Sequence, residues 1–209
     1  MGRPSRALLS REIIARAALE LIDGSGAEGL TMRALADRLG VKAASLYNHL
    51  AGRDELLDAL AELVNEEIDL TPLERADRWE GLAGYARGYR AVFLRHPNTI
   101  ALLARRRVEA GRQLLTYDSL LAALGRAGLA PADAAEAAAA LDYLVLGSAL
   151  ETFSAGFTRD SGSYRPRHPA LAGALEASAA RGPGLDERGF ELALRLLLDG
   201  LAARAARSA

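Results

Sequence analysis

Three observations predict an all-α fold. Alanine and leucine dominate the chain, whereas valine and isoleucine are scarce. Almost no segment alternates apolar and polar residues with period two. Apolar residues recur instead at three- and four-residue spacing, the period of a helix with one buried face. The pattern supports about nine or ten helices, arranged as a three-helix head and a larger helical-bundle body.

Ser10 can cap a helix through Arg11–Asp23, whose Ile13, Ile14, Ala17, Ala18, Leu21 and Ile22 share a face. Gly24-Ser25-Gly26 stops it. Thr31 can cap a short helix, Met32–Leu39, and Gly40 sits where a left-handed residue ends it. A third helix is predicted over 42–49. Gly52 separates it from a fourth, Asp54–Asp69, with Asp54 as cap and Leu56, Leu57, Leu60, Leu63 and Val64 on its apolar face. Thr71-Pro72 breaks the chain. Helix resumes over 75–95 and ends at His96-Pro97, because the residue before proline avoids the α region. Further helices are expected at 98–105, 108–126, 132–157, 169–179 and 186–206, with 158–167 as a loop.

The length, 209 residues, suits one compact unit or a small head on a larger body. Half the residues are apolar and a quarter are charged, which excludes a disordered or fibrous chain. With no cysteine, neither a disulfide framework nor a thiolate metal site can form, as suits a reducing cytoplasm. The N-terminus lacks a signal-peptide apolar run, and Arg6 stands where a myristoylation motif wants Ser or Thr. The apolar stretch 137–150 is interrupted by Asp142 and is too short for a membrane span. A cytoplasmic protein with no membrane partner is expected. Charge is uneven: residues 1–53 carry net +3 and the remainder −4. A basic head suits an anionic partner.

The segment Gly26–Arg53 describes two short helices about a glycine-containing turn, a helix-turn-helix. The first helix needs an apolar face to support the second. The second needs small or polar residues at its start, so that its backbone can approach base edges in the major groove. Lys42-Ala43-Ala44-Ser45 supplies that start, and Leu46 and Leu50 face inward. Tyr47 and His49, with Thr31, Arg33 and Arg53 flanking, are donors able to reach phosphates, contacts that position rather than specify. Taken singly, Tyr47 also reads as an ordinary aromatic, His49 as a surface histidine, and Arg33 and Lys42 as solvated charges.

At the spacing Gly26, Thr31, Leu35, Ala36, Gly40, Val41, Leu46, Tyr47, His49, Leu50, Arg53 and Leu56, the segment resembles the head of the TetR family of repressors. It is most similar to the tetracycline-repressor branch, which continues as Leu56–Leu60 does here. The resemblance implies DNA contacts by Arg33, Lys42, Ala43, Ala44, Ser45, Tyr47, His49 and Arg53. That branch has glutamine and proline where this chain has Ala43-Ala44. Alanine cannot donate to adenine, although it can pack on thymine methyls, so a different operator is expected.

The body lacks a glycine-rich phosphate loop, a G-x-S-x-G elbow and an HExxH pair, so no enzyme and no cofactor is expected. A helical enzyme would need clustered titratable groups. More weakly, the body resembles the C-terminal domain of the tetracycline repressors. Leu146–Glu151 matches a stretch whose glutamate helps hold a magnesium-bound drug through water, and Trp79 matches a tryptophan. The histidine that grips magnesium there falls at Leu103 here, so no metal site and no metal-bound tetracycline are expected. By itself Glu151 reads as a surface or hydrogen-bonded carboxylate.

A sensing site would be an apolar cleft between body helices. Its candidates are Tyr85, Tyr89, Phe93, Leu103, Arg107, Tyr117, Tyr143, Glu151 and Phe153, the aromatics reading equally as core. The final helix carries the stripe Phe190, Ala193, Leu194, Leu197, Leu198 and Leu201. That stripe packs within the chain or, as the resemblance implies, pairs with helix 132–157 across a two-fold axis, where Ala140, Gly147 and Ser148 allow close approach. The expectation is a homodimer on a palindromic double-stranded DNA operator, released by a largely apolar small-molecule effector. An activator of the same fold, or a binder that senses nothing, stays open. The division expected is 1–53 for the head and 54–209 for the body.

Overall fold

The computed structural model describes residues 9–103, 111–150 and 152–208. Among these, no strand forms and eleven helices succeed one another. Their order is α1 (Arg11–Ser25), α2 (Met32–Leu39), α3 (Ala43–Leu46), α4 (Arg53–Glu66), α5 (Arg78–Arg95), α6 (Ile100–Leu103), α7 (Gly111–Arg126), α8 (Pro131–Ala149), α9 (Thr152–Ala155), α10 (Pro169–Ala179) and α11 (Leu185–Ser208).

The predicted caps at Ser10 and Thr31 form. Ser10 Oγ accepts from the Ile13 amide at 3.2 Å, and Thr31 Oγ1 accepts from the Ala34 amide at 3.0 Å. Asp77 caps α5 in the same way, accepting from the Glu80 amide at 3.1 Å. Asp54 does not cap α4. The cap residue is Gly52, and Glu55 reaches back to accept from the Ala51 amide at 2.6 Å. That geometry leaves Asp54 inside the first turn, where its charge meets the positive end of the helix.

Ile14, Ala17, Ala18, Leu19 and Ile22 of α1 are buried, and α1 lies along α4. The other side of α4 meets α7, so Leu56, Leu57, Ala59, Leu60, Ala61, Leu63, Val64 and Asn65 are all buried. A helix held between two layers has little solvent face to be polar. Each leucine buried there stabilises the fold by roughly 1.5–3 kcal/mol. In the body, α8 is central, packing on α5, α7 and α11.

Two predicted helices differ most from the structure. The third ends at Leu46 as regular helix and closes as a turn, with the His49 and Leu50 amides both donating to the Leu46 carbonyl. The stretch 132–157 is split, with α8 ending at Ala149 and α9 starting at Thr152. Near the break, Ser148 Oγ donates to the Val145 carbonyl at 2.9 Å and competes with the helical ladder. The loop expected at 158–167 holds a single 3-10 turn, Ser161–Tyr164.

Candidate nucleic-acid interface and ligand cavity

The turn between α2 and α3 is set by Gly40, at φ 64 and ψ 35. Only glycine takes that left-handed conformation without steric cost. The next amide, Val41, donates back to the Ala36 carbonyl at 3.0 Å, which closes the helix end and turns the chain outward. Beneath, Leu35, Ala36, Leu46 and Leu50 are buried. Above, Lys42, Ala43, Ala44, Tyr47, Asn48 and His49 are exposed, with Ser45 half-buried. The helix α3 thus stands on an apolar base and presents two methyl groups and a row of polar tips. Asn48 belongs to this row and was not among the predicted contacts; its place between Tyr47 and His49 was the available signal.

Thr31 and Arg33, at the start of α2, are both exposed. Among the described residues, no carboxylate forms an ion pair with Arg33 or Lys42. By contrast, Arg38 pairs with Glu20, and Arg16 with Glu12 at 2.8 Å. Arg53 is exposed, but its Nη1 donates to the Leu30 carbonyl at 2.7 Å, tying the start of α4 to the residue before Thr31. A guanidinium has five N–H donors, so this bond leaves others to face outward.

The body encloses a cavity of about 170 Å³. Of the predicted lining, Tyr85, Tyr89, Phe93, Leu103, Tyr117 and Tyr143 are brought together there. Tyr85, Tyr89 and Phe93 follow one another at four-residue spacing on α5, with ring centroids 5.8 and 5.4 Å apart. Phe153 does not join them. It is 58% exposed, its ring meets Phe157 at 5.2 Å, and it lines a separate hollow with Leu144 and Phe190. Arg107 and Glu151 lie outside the described residues.

Sequence reading missed the polar half of the wall, namely Asn65, Gln113, Thr116 and Asp142. Asp142 had counted only as an interruption of an apolar run. Its neighbours explain its position: Tyr117 Oη donates to Asp142 Oδ2 at 2.5 Å, and Tyr89 lines the same wall. Burial pushes the Asp142 carboxyl up, against the neighbouring Tyr117 and Tyr89 hydroxyls, which draw it down. Burial likewise raises the phenols of Tyr85, Tyr89 and Tyr117, and the Asp142 charge adds to it. Asn65 Nδ2 donates to the Ala61 carbonyl at 2.8 Å. Among the described residues, no group of three or more His, Asp or Glu is arranged to hold a metal ion.

Of the stripe on α11, Phe190, Leu194, Leu198 and Leu201 are buried within the chain, and Ala193 and Leu197 are half-buried. Leu192 and Leu196 point the other way, 55% and 64% exposed, and Tyr143 of α8, at the cavity rim, is 78% exposed. No helix among the described residues is long and apolar enough to cross a membrane.

Comparison with known proteins agrees with this geometry. Residues 14–60 match the family of bacterial regulatory proteins termed tetR, and residues 71–205 match the tetracyclin repressor-like C-terminal domain. The tetracycline repressor protein class A from transposon 1721 of Escherichia coli is 36% identical over 202 residues, covering 94% of this chain and 92% of that protein. Apo ActR from Streptomyces coelicolor superposes with a TM-score of 0.81 at 28% identity, covering 97% of this chain and 99% of that one. ActR in complex with actinorhodin gives 0.78 at 29%, covering 97% and 100%. Head, turn and body together make this chain a DNA-binding transcriptional regulator of the TetR family.

Proposed function

We propose that the chain is a repressor that acts as a homodimer, setting one α3 from each subunit in the major groove of a palindromic operator. A small molecule in the body cavity releases it. Arg33, Lys42, Tyr47, His49, Arg53 and Thr31 hold phosphates, while Ala43, Ala44 and Ser45 face bases, the alanines favouring thymine methyls. The chain divides functionally at residue 53, works in the cytoplasm and carries no catalysis of its own.

The observation that carries this reading is the reach of α4. Its first residue, Arg53, bonds the Leu30 carbonyl of the head, and its far end sets Ala61 and Asn65 in the cavity wall. At 1.5 Å rise per residue, its 14 residues form a rod of about 20 Å. A ligand that moves the Asn65 end moves the head with it. The operator is released only if that ligand prefers the arrangement unsuited to DNA. The tetracycline repressor and the ActR–actinorhodin complex support a ligand-linked repressor. Tyr143, Leu192 and Leu196, exposed on α8 and α11, support pairing of two copies, since unpaired monomers rarely show such apolar groups together.

The test is selection of bound duplexes from a random DNA library, followed by anisotropy titration of the recovered site. A palindrome with two half-sites about one helical turn apart is expected. Recovery of no common sequence would sink the proposal.

A further inference from the structure

Among the described residues lining the cavity, Asp142 is the only carboxyl and there is no Lys, Arg or His. A carboxylate drawn partly out of water, with no countercharge among the described wall residues, is costly, and the Tyr117 hydroxyl that donates to it compensates it only in part. One such donor does not fill its roughly four lone-pair positions. The rest of the wall is aromatic. Tyr85, Tyr89 and Phe93 line one side, Tyr117 stands beside the carboxylate, and Tyr143 sits at the rim. Aromatic faces attract cations as well as flat rings. The volume, about 170 Å³, is little more than that of an engineered cavity of about 150 Å³ known to take benzene.

We infer that this cavity selects a one- or two-ring aromatic amine in its protonated form, with the ammonium group on Asp142 and the ring against Tyr85, Tyr89 and Phe93. The inference rests on the reading of this cavity as the effector site, and it adds the ligand's charge. An anionic ligand would bring like charge against Asp142 in a low-dielectric site and is rejected. The raised Asp142 carboxyl agrees with this, since an arriving cation relieves the cost of its ionisation.

Three probes with one ring system test it on the full chain at pH 7 by titration calorimetry: 1-naphthylmethylamine, 1-naphthylmethanol and 1-naphthylacetate. The amine is expected to bind tightest and the acetate weakest, with about tenfold between amine and alcohol. In Asp142→Asn the amine's advantage should fall by about tenfold, with alcohol binding nearly unchanged. Tyr117→Phe removes one donor but keeps the charge, so the ordering should persist and the amine should bind at least as tightly. Three results would overturn the inference: acetate binding as well as the amine, an ordering that survives Asp142→Asn, or no probe bound. Operator release separates the two claims. An amine that binds through Asp142 yet leaves DNA affinity unchanged supports the charge selection and defeats the effector reading. Release by the acetate alone does the reverse.

Discussion

His96 Nδ1 lies 2.8 Å from Asp23 Oδ2, and the other ring nitrogen lies 3.3 Å from Glu67 Oε1. One imidazole thus joins the last turn of α1, the residue after α4 and the cap of α5. Asn98 Nδ2 adds a bond to the Ile22 carbonyl at 3.1 Å. The head is therefore fastened to the body at a second point, independent of the continuous backbone of α4.

Replacing His96 by alanine should loosen that joint. Loss of about 1 kcal/mol of stability is expected, as for one or two mixed hydrogen bonds. Thermal unfolding would report it. Hydrogen exchange should accelerate at the C-terminal end of α1 and stay unchanged in α8; uniform acceleration would count against a local joint.

The same joint gives a pH dependence with a definite sign. Burial pushes the Glu67 carboxyl up, but the Arg95 bond at 2.6 Å, together with the Arg95 and His96 charges, holds it below its usual value of 4.5. A carboxyl lowered by folding stabilises the fold above its unfolded value, and that contribution disappears as pH falls through the folded value. Stability should therefore drop on acidification below about 4.5, and Glu67→Gln should flatten this part of the curve. A variant with the wild-type slope would show that other groups set it.

Lys42 and Arg33 distinguish affinity from sequence reading. Lys42→Ala should weaken binding to all duplexes alike and reduce the salt slope of log K by about one. A loss confined to one operator sequence would instead make Lys42 a base reader. Competition between specific and random duplexes over a salt series decides this.

Gly40→Ala probes the turn itself. At φ 64 a Cβ meets the following carbonyl, a cost of about 1–2 kcal/mol. Denaturant titration should register that loss, and DNA binding should weaken because α3 would shift on its base of Leu35 and Ala36.

Leu196→Glu tests pairing through α11. Leu196 is exposed and makes no contribution to the monomer core, so folding should persist by circular dichroism. Sedimentation should give a smaller species, and operator affinity should fall by more than tenfold as two half-sites are no longer bound together. A dimer that survives the change would place the interface elsewhere.

Much of the head was legible in the chain alone, for a local reason. Ser10, Thr31 and Gly40 act on backbone groups within a few residues of themselves, and Leu46 and Leu50 report their burial by spacing. Residue order therefore determined the helix class, the turn at Gly40 and the outward start of α3. Six of the cavity residues were also legible, because large rings in an all-α body must converge somewhere. Folding in space decided the rest. Asp142 acquires meaning only when α7 brings Tyr117 to it across 25 positions, and His96 only when it meets Asp23 across 73. Phe153 lies apart from the rings of α5 because α8 ends at Ala149 and a separate short helix carries it. Pairings of this kind depend on how helices cross, and crossing is set by the packed sum of many side chains rather than by any local pattern.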